Sequence, residues 1–161
     1  MREVEATFLI HDGVGVPGSD GGYLGRHALL HQAAAVTGAS MAVSKDVFRQ
    51  LGGFDAVNFP VEGNDVDLCF RAAAAGLAVL YDSYATLYHL ESKTRGFSSD
   101  GERRRVSETA LSLLWDRWGA GFGADPGFNM NFDRWGRPFA RLRPPLPARL
   151  QSYPARRVGP Q

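Results

Sequence analysis

Hydrophobic and polar positions fall into short blocks along this chain, each closed by glycine or a small polar residue. Residues 6–11 (ATFLIH) predict a short strand, and Val36 to Val43 (VTGASMAV), dense in small and branched apolar residues, predicts a buried one. Ser44 is a good cap for a helix over Lys45–Leu51, which Gly52 and Gly53 stop. Phe54 to Gly63 reads as a loop with two aromatics and Pro60. Asn64 or Asp65 then caps a helix running to about Ala75, stopped by Gly76. Leu68, Ala72 and Ala75 share its inner face, while Asp67 and Arg71 form an i,i+4 pair outside it. Leu77–Tyr81 and Ala85–Leu90 read as strands divided by Asp82 and Ser83.

The clearest amphipathic helix spans Glu102 to Trp118. Val106, Ala110, Leu113, Leu114 and Trp118 recur there at helical spacing, and Gly119 and Gly121 end it. Between Gly13 and Gly25 the six glycines and Pro17 predict a loop. Its GxGxxG (Gly13, Gly15, Gly18) is no dinucleotide fingerprint, because Pro17 and the following SDGG cannot open the helix that holds a pyrophosphate. Residues 22–32 fit either a short helix or an irregular segment. Beyond Asp125 periodicity is lost; an ordered stretch near Phe128–Phe132 and a loose end after Pro144 are expected. No internal repeat is visible.

A length of 161 residues suits a single domain. The lone cysteine, Cys69, excludes an intramolecular disulfide and a cysteine-based zinc site, which fits a reducing compartment. The start, MREVEATFLI, lacks the basic region of a secretory leader, and the longest apolar run, Ala72 to Tyr81, is too short to span a bilayer. Seven of the 18 Lys+Arg and none of the 17 Asp+Glu lie from Arg134 onward, so the tail carries +7 and the remainder −6. With no aromatic or lysine rhythm to build a nucleic-acid groove, docking on the acidic body or plain solvation is the preferred reading.

Acids at the mouth of a helix and a polar residue at a strand end are where open α/β sheets keep their chemistry. Asp65 is either a simple helix cap or a carboxylate placed to take a proton from a substrate hydroxyl. Asp65-Val66-Asp67 spells DxD, but residues two apart on a helix point about 200° apart, so the pair grips one ion poorly. His89, at a strand end, is either a structural histidine or a ligand to a metal or phosphate. Ser92 and Arg95 follow it, a hydroxyl and a guanidinium suited to a diphosphate, or a solvated loop.

The blocks VTGASMAVSKDVFRQLGGFD and NDVDLCFRAAAAGLAVLYDSYATLYHLESKTRG resemble the C-terminal half of family 2 glycosyltransferases of the GT-A fold, closest to the rhamnosyltransferase-like members that build bacterial polysaccharides. The likeness extends from GGYLGR (21–26) to RWGAGFGADPGFNMNF (117–132). It implies an α/β fold, a partial GT-A (Rossmann-like) domain with a mixed sheet and flanking helices over residues 1–133, followed by an Arg/Pro-rich tail over 134–161. It implies that Asp65 is the general base of an inverting transfer and that His89 helps hold a divalent metal (Mn2+ or Mg2+) and the nucleotide diphosphate. Gly38 and Ala39 then lie in the strand beside donor sugar and acceptor, Asn64 and the Phe59–Gly63 loop where the acceptor enters, and Ser92 and Arg95 beside the diphosphate.

Members of that family carry an N-terminal nucleotide-binding half with the metal-binding DxD ahead of these blocks. The resemblance therefore implies a chain that is inactive alone, with its main metal ligands elsewhere, and that works with a nucleotide-sugar donor and a glycan or polysaccharide acceptor. Either the chain is a fragment of a longer protein or a second chain supplies the missing half. The exposed sheet edge and apolar face favour association, as a homo-oligomer or with that complementing chain, in the cytoplasm or at the inner face of the membrane, without nucleic acid. The alternative is a non-catalytic remnant that keeps the half-fold for association or acceptor binding.

Overall fold

The computed structural model describes residues 12–13, 15–87, 100–119, 125–133 and 138–144. Two 3-10 segments, Tyr23–Ala28 and Gly38–Ser40, three α-helices and one two-stranded sheet make up its regular structure. The predicted strand at 6–11 lies outside the described residues. The helices are α1 (Lys45–Gln50), α2 (Asn64–Ala74) and α3 (Asp100–Trp118). Strands β1 (His31–Gln32) and β2 (Leu80–Tyr81) pair antiparallel, His31 opposite Tyr81 and Gln32 opposite Leu80. The mixed sheet expected from the resemblance is represented among the described residues by this pair.

The segment left open at 22–32 resolves into both alternatives: a 3-10 stretch interrupted at Leu24 and Gly25, both with positive φ, then β1. Around Gly13 and Gly15 the chain turns with φ of +84° and +76°, within the predicted loop. In α1 the Ser44 Oγ accepts from the Val47 N–H at 3.3 Å, and Gly52 and Gly53 stop the helix with φ of +83° and +72°. Helix α2 ends at Gly76, φ +78°.

Three expectations are corrected. Val36–Val43 is not a buried strand, because its backbone donors are taken by side chains. The Gly38 N–H donates to Asp65 and the Ala39 N–H to Thr37 Oγ1, so residues 38–40 curl into an exposed 3-10 turn. The cap of α2 is neither Asn64 nor Asp65 but Gly63, left-handed at φ +84° and with no side-chain cap bond. Ala85–Leu87 form no strand: the Tyr84 N–H donates to Asp82 Oδ1 and the Ala85 N–H to the Asp82 carbonyl, a turn that uses the groups a ladder needs. Residues 88–90 of that expected strand lie outside the described residues.

The core sits where α2 and α3 meet the 54–63 loop. Phe59, Ala110 and Leu114 are buried together, with Val66, Leu113 and Trp118 packed against them. Burying a Phe or Leu side chain is worth about 1.5–3 kcal/mol, so Phe59 and Leu114 anchor this contact. Gly63 is wedged beneath them: a Cβ there would lie 3.0 Å from Leu114 Cδ1 and 3.2 Å from Phe59 Cδ1. Leu68 is buried as predicted, whereas Ala75, assigned to the same face, is exposed.

A second cluster joins the two ends of the described chain. Phe139 stacks on Tyr23 (4.5 Å between centroids) and on Phe128 (4.7 Å), with the Arg26 guanidinium 5.0 Å from its ring. The Asp133 N–H donates to the Arg141 carbonyl and the Arg143 N–H to the Asn131 carbonyl. Residues 138–144 therefore dock on the body through aromatic rings and backbone hydrogen bonds. No helix among the described residues is long and apolar enough to cross a membrane.

Candidate functional site

Helix α2 opens with Asn64, Asp65 and Asp67 in its first turn, near the 38–40 turn. Asp65 is half-buried. Its Oδ2 accepts from the Gly38 N–H at 2.7 Å, and its Oδ1 accepts from the Val66 N–H at 2.8 Å. A carboxylate offers about four acceptor positions, so two backbone donors fix this one and leave capacity for a third partner.

Gly38 earns its place by size: a Cβ would stand 3.2 Å from Asp65 Cβ and 3.4 Å from Oδ2. Ala39 is the next residue of the same exposed turn, and Asn64 precedes Asp65 at the helix mouth, half-buried. Four of the residues singled out by sequence thus gather in one place. Phe59, assigned to the acceptor entrance with its loop, instead buries its whole side chain in the core; Pro60 and Val61 are the loop's exposed residues. His89, Ser92 and Arg95 lie outside the described residues.

Cys69 sits one helical turn behind Asp65, with its thiol 3.9 Å from the Val36 carbonyl. Burial pushes the thiol above its ordinary value, partly offset by that hydrogen bond and reinforced by the nearby Asp65 charge.

Asp67 has a different fate from the exposed ion pair expected of it. It is fully buried. Its Oδ2 accepts from Arg71 Nε at 2.8 Å, and its Oδ1 accepts from Arg117 Nη1 at 2.8 Å and from Trp118 Nε1 at 2.9 Å. Arg71 also donates to the carbonyls of Leu51 and Gly53, at the end of α1. Arg117 reaches on to Asp55 Oδ2 at 2.9 Å and lies over the Phe59 ring at 5.1 Å. Asp55 is bound by Asn58, through side chain and backbone, and by Arg117; these bonds hold its carboxyl well below the usual range. The same carboxylates push the Arg117 guanidinium further up.

Sequence reasoning missed this hub. Its visible signals were the Asp67/Arg71 spacing and the polar termini of Arg117 and Trp118 on an otherwise amphipathic helix.

The two carboxylates of the DxD therefore face apart, one toward the 38–40 turn and one toward α3. Asp67 is neutralised by guanidinium groups, and among the described residues no three His, Cys, Asp or Glu side chains converge. This donor set does not fit a divalent ion.

The chain thus combines an α/β framework with an acid fixed at a helix mouth, a layout suited to group-transfer chemistry. It belongs to the glycosyltransferase family 2: the model described as "Glycosyltransferase like family 2" matches residues 23–108, more than half of the chain. It is also 33% identical over 115 residues to an uncharacterized protein, y4gI, of Sinorhizobium fredii, covering 71% of this chain and 13% of that protein. A second relative is the O-antigen biosynthesis protein RfbC of Myxococcus xanthus, 43% identical over 61 residues, which are 38% of this chain and 5% of RfbC. The chain thus spans only a small part of the curated relatives it matches. No solved structure matches it.

Proposed function

We propose that this chain forms the acceptor side of an inverting glycosyltransferase of the GT-A fold, moving a sugar from a nucleotide-sugar donor to a glycan or polysaccharide acceptor. The observation that carries the reading is the Asp65 carboxylate, held at the mouth of α2 by the Gly38 and Val66 amides with acceptor capacity to spare. In this reading Asp65 takes the proton of the acceptor hydroxyl as that oxygen attacks the anomeric carbon. The bond to the diphosphate breaks on the opposite face, its electron pair leaves with the phosphate oxygen, and the anomeric centre inverts. Two fixed amides keep the base aimed without charge neutralisation, which is the preorganisation such a step needs. The 38–40 turn and Asn64 border the acceptor.

The divalent metal, with His89 as ligand, and the contacts of Ser92 and Arg95 to the diphosphate rest on the family resemblance. So does the expectation that turnover requires a nucleotide-binding half, in the same polypeptide or from a second chain, on the cytoplasmic side. The part of RfbC in O-antigen biosynthesis is in keeping with a polysaccharide acceptor.

A second reading draws on the same contact. Because both Asp65 oxygens already accept backbone N–H groups, the carboxylate serves equally as a brace between the 38–40 turn and α2 in a non-catalytic module. Asp65→Asn in a polypeptide containing the nucleotide-binding half separates the two, with transfer followed by release of nucleoside diphosphate from UDP- and dTDP-sugars. The catalytic reading expects a loss of at least about 100-fold, the low end for an acid–base group. An asparagine replaces one amide-accepting oxygen with an N–H donor, so a lower melting temperature accompanies it. Near-wild-type turnover in a destabilised variant establishes the brace and removes the base.

A further inference from the structure

The first turn of α2 has little local support. Its cap, Gly63, contributes no side-chain bond, and its left-handed backbone fixes only where the helix starts. Besides the packing of Val66 and Gly63 on Phe59 and Leu114, the turn is tied by a pair of carboxylates pointing to opposite sides of it. Asp65 is tied to the Gly38 amide, and Asp67, one residue beyond Val66, is tied to Arg117 and Trp118 in the last turn of α3. The tie on the α3 side is the stronger, since Asp67 is fully buried and takes three donors from two helices. The tie on the Gly38 side is narrow: a methyl group at position 38 would stand 3.2 Å from Asp65 Cβ and 3.4 Å from Oδ2, so the carboxylate would have to give way.

A small rotation of the helix mouth would open the Gly38–Asp65 contact, and it would also shift Gly63 and Val66 against Phe59 and Leu114. The three hydrogen bonds of Asp67 oppose that rotation together with this packing.

We propose that Asp67, through Arg117 and Trp118, is the positioning residue that sets the orientation of the Asp65 carboxylate, so that the C-terminal turn of α3 aims the group read above as the general base. The catalytic meaning rests on that reading of Asp65, while the positioning itself is independent of it.

The test needs no substrate. In the 161-residue chain, the Gly38 amide reports directly on its bond to Asp65, and the Val47 amide, bound to Ser44 Oγ in α1, serves as an internal reference. Trp118→Phe removes the indole N–H and part of the ring while keeping a smaller aromatic ring beside Phe70; Arg117→Gln removes the guanidinium. In both variants the Gly38 amide proton is expected to move upfield, toward its position in Asp65→Asn. Its exchange with solvent is expected to quicken about fivefold relative to Val47, the fold-change of one modest hydrogen bond. A merely structural hub would lower the melting temperature and leave Gly38 unmoved relative to Val47. If Gly38 keeps its shift and exchange in Trp118→Phe, the positioning role is wrong, and that variant decides should Arg117→Gln fail to fold. The transferase assay on Asp65→Asn separately decides whether the positioned group is a base.

Discussion

Replacing Asp67 with alanine is the sharpest test of how this molecule is held together. The change removes an acceptor that serves Arg71, Arg117 and Trp118 and leaves their N–H groups facing a void at a fully buried position. Breaking a buried pair by deleting one partner costs about 3–5 kcal/mol. The lower end applies, because the side chains of Arg71 and Arg117 are 22% and 35% exposed and can regain water, whereas the Trp118 indole N–H is less able to. A loss of about 3 kcal/mol follows, or roughly 6–12 °C in Tm for a chain of this size. Urea unfolding followed by far-UV circular dichroism measures it, with stability taken from the midpoint at constant m. Asp67→Asn should fall between, since an amide oxygen serves either α3 or Arg71 but not both. A loss below about 1 kcal/mol for Asp67→Ala, the level of an exposed ion pair, refutes the account of Asp67 as the junction of α1, α2 and α3.

Other consequences are open to simpler measurements. Gly63→Ala combines a left-handed backbone with a methyl pressed against Leu114 and Phe59, so it should lower stability by about 2–3 kcal/mol in the same unfolding assay. The depressed Asp55 pKa favours folding fully above the ordinary carboxylate value, and that contribution is lost as pH falls through the folded value; Asn58→Ala should flatten the acid limb of a Tm-against-pH profile. The raised Cys69 pKa favours folding below the ordinary thiol value and ceases to as pH rises past it. Cys69 should thus resist a thiol-specific reagent at pH 8 and react promptly once urea unfolds the chain.

Helices were the legible part of this sequence. Ser44 and the paired glycines bounded α1, Gly76 stopped α2, and the apolar spacing of Val106 to Trp118 located α3, because each signal acts within a turn or two of the chain. The 38–40 turn was illegible because a residue 27 positions away, Asp65, takes the Gly38 N–H that a strand would have used. Phe59 looked like a loop aromatic; only the arrival of Leu114 and Ala110 from α3 makes it core. Asp65, Asn64, Gly38 and Ala39 could be singled out as neighbours through family resemblance, whereas the role of Asp67 depends on partners 50 and 51 residues downstream. Local periodicity carries no information about such a meeting.

The hub also bears on how this region can be dissected. The family match stops at residue 108, nine and ten positions before the guanidinium and indole that hold Asp67. A polypeptide trimmed to the recognised block would strand a buried anion with Arg71 as its one remaining partner and forfeit Ala110 and Leu114 from the apolar contact. The smallest autonomous piece must therefore reach Trp118, and homology boundaries drawn at 108 would cut through the fastening of the fold.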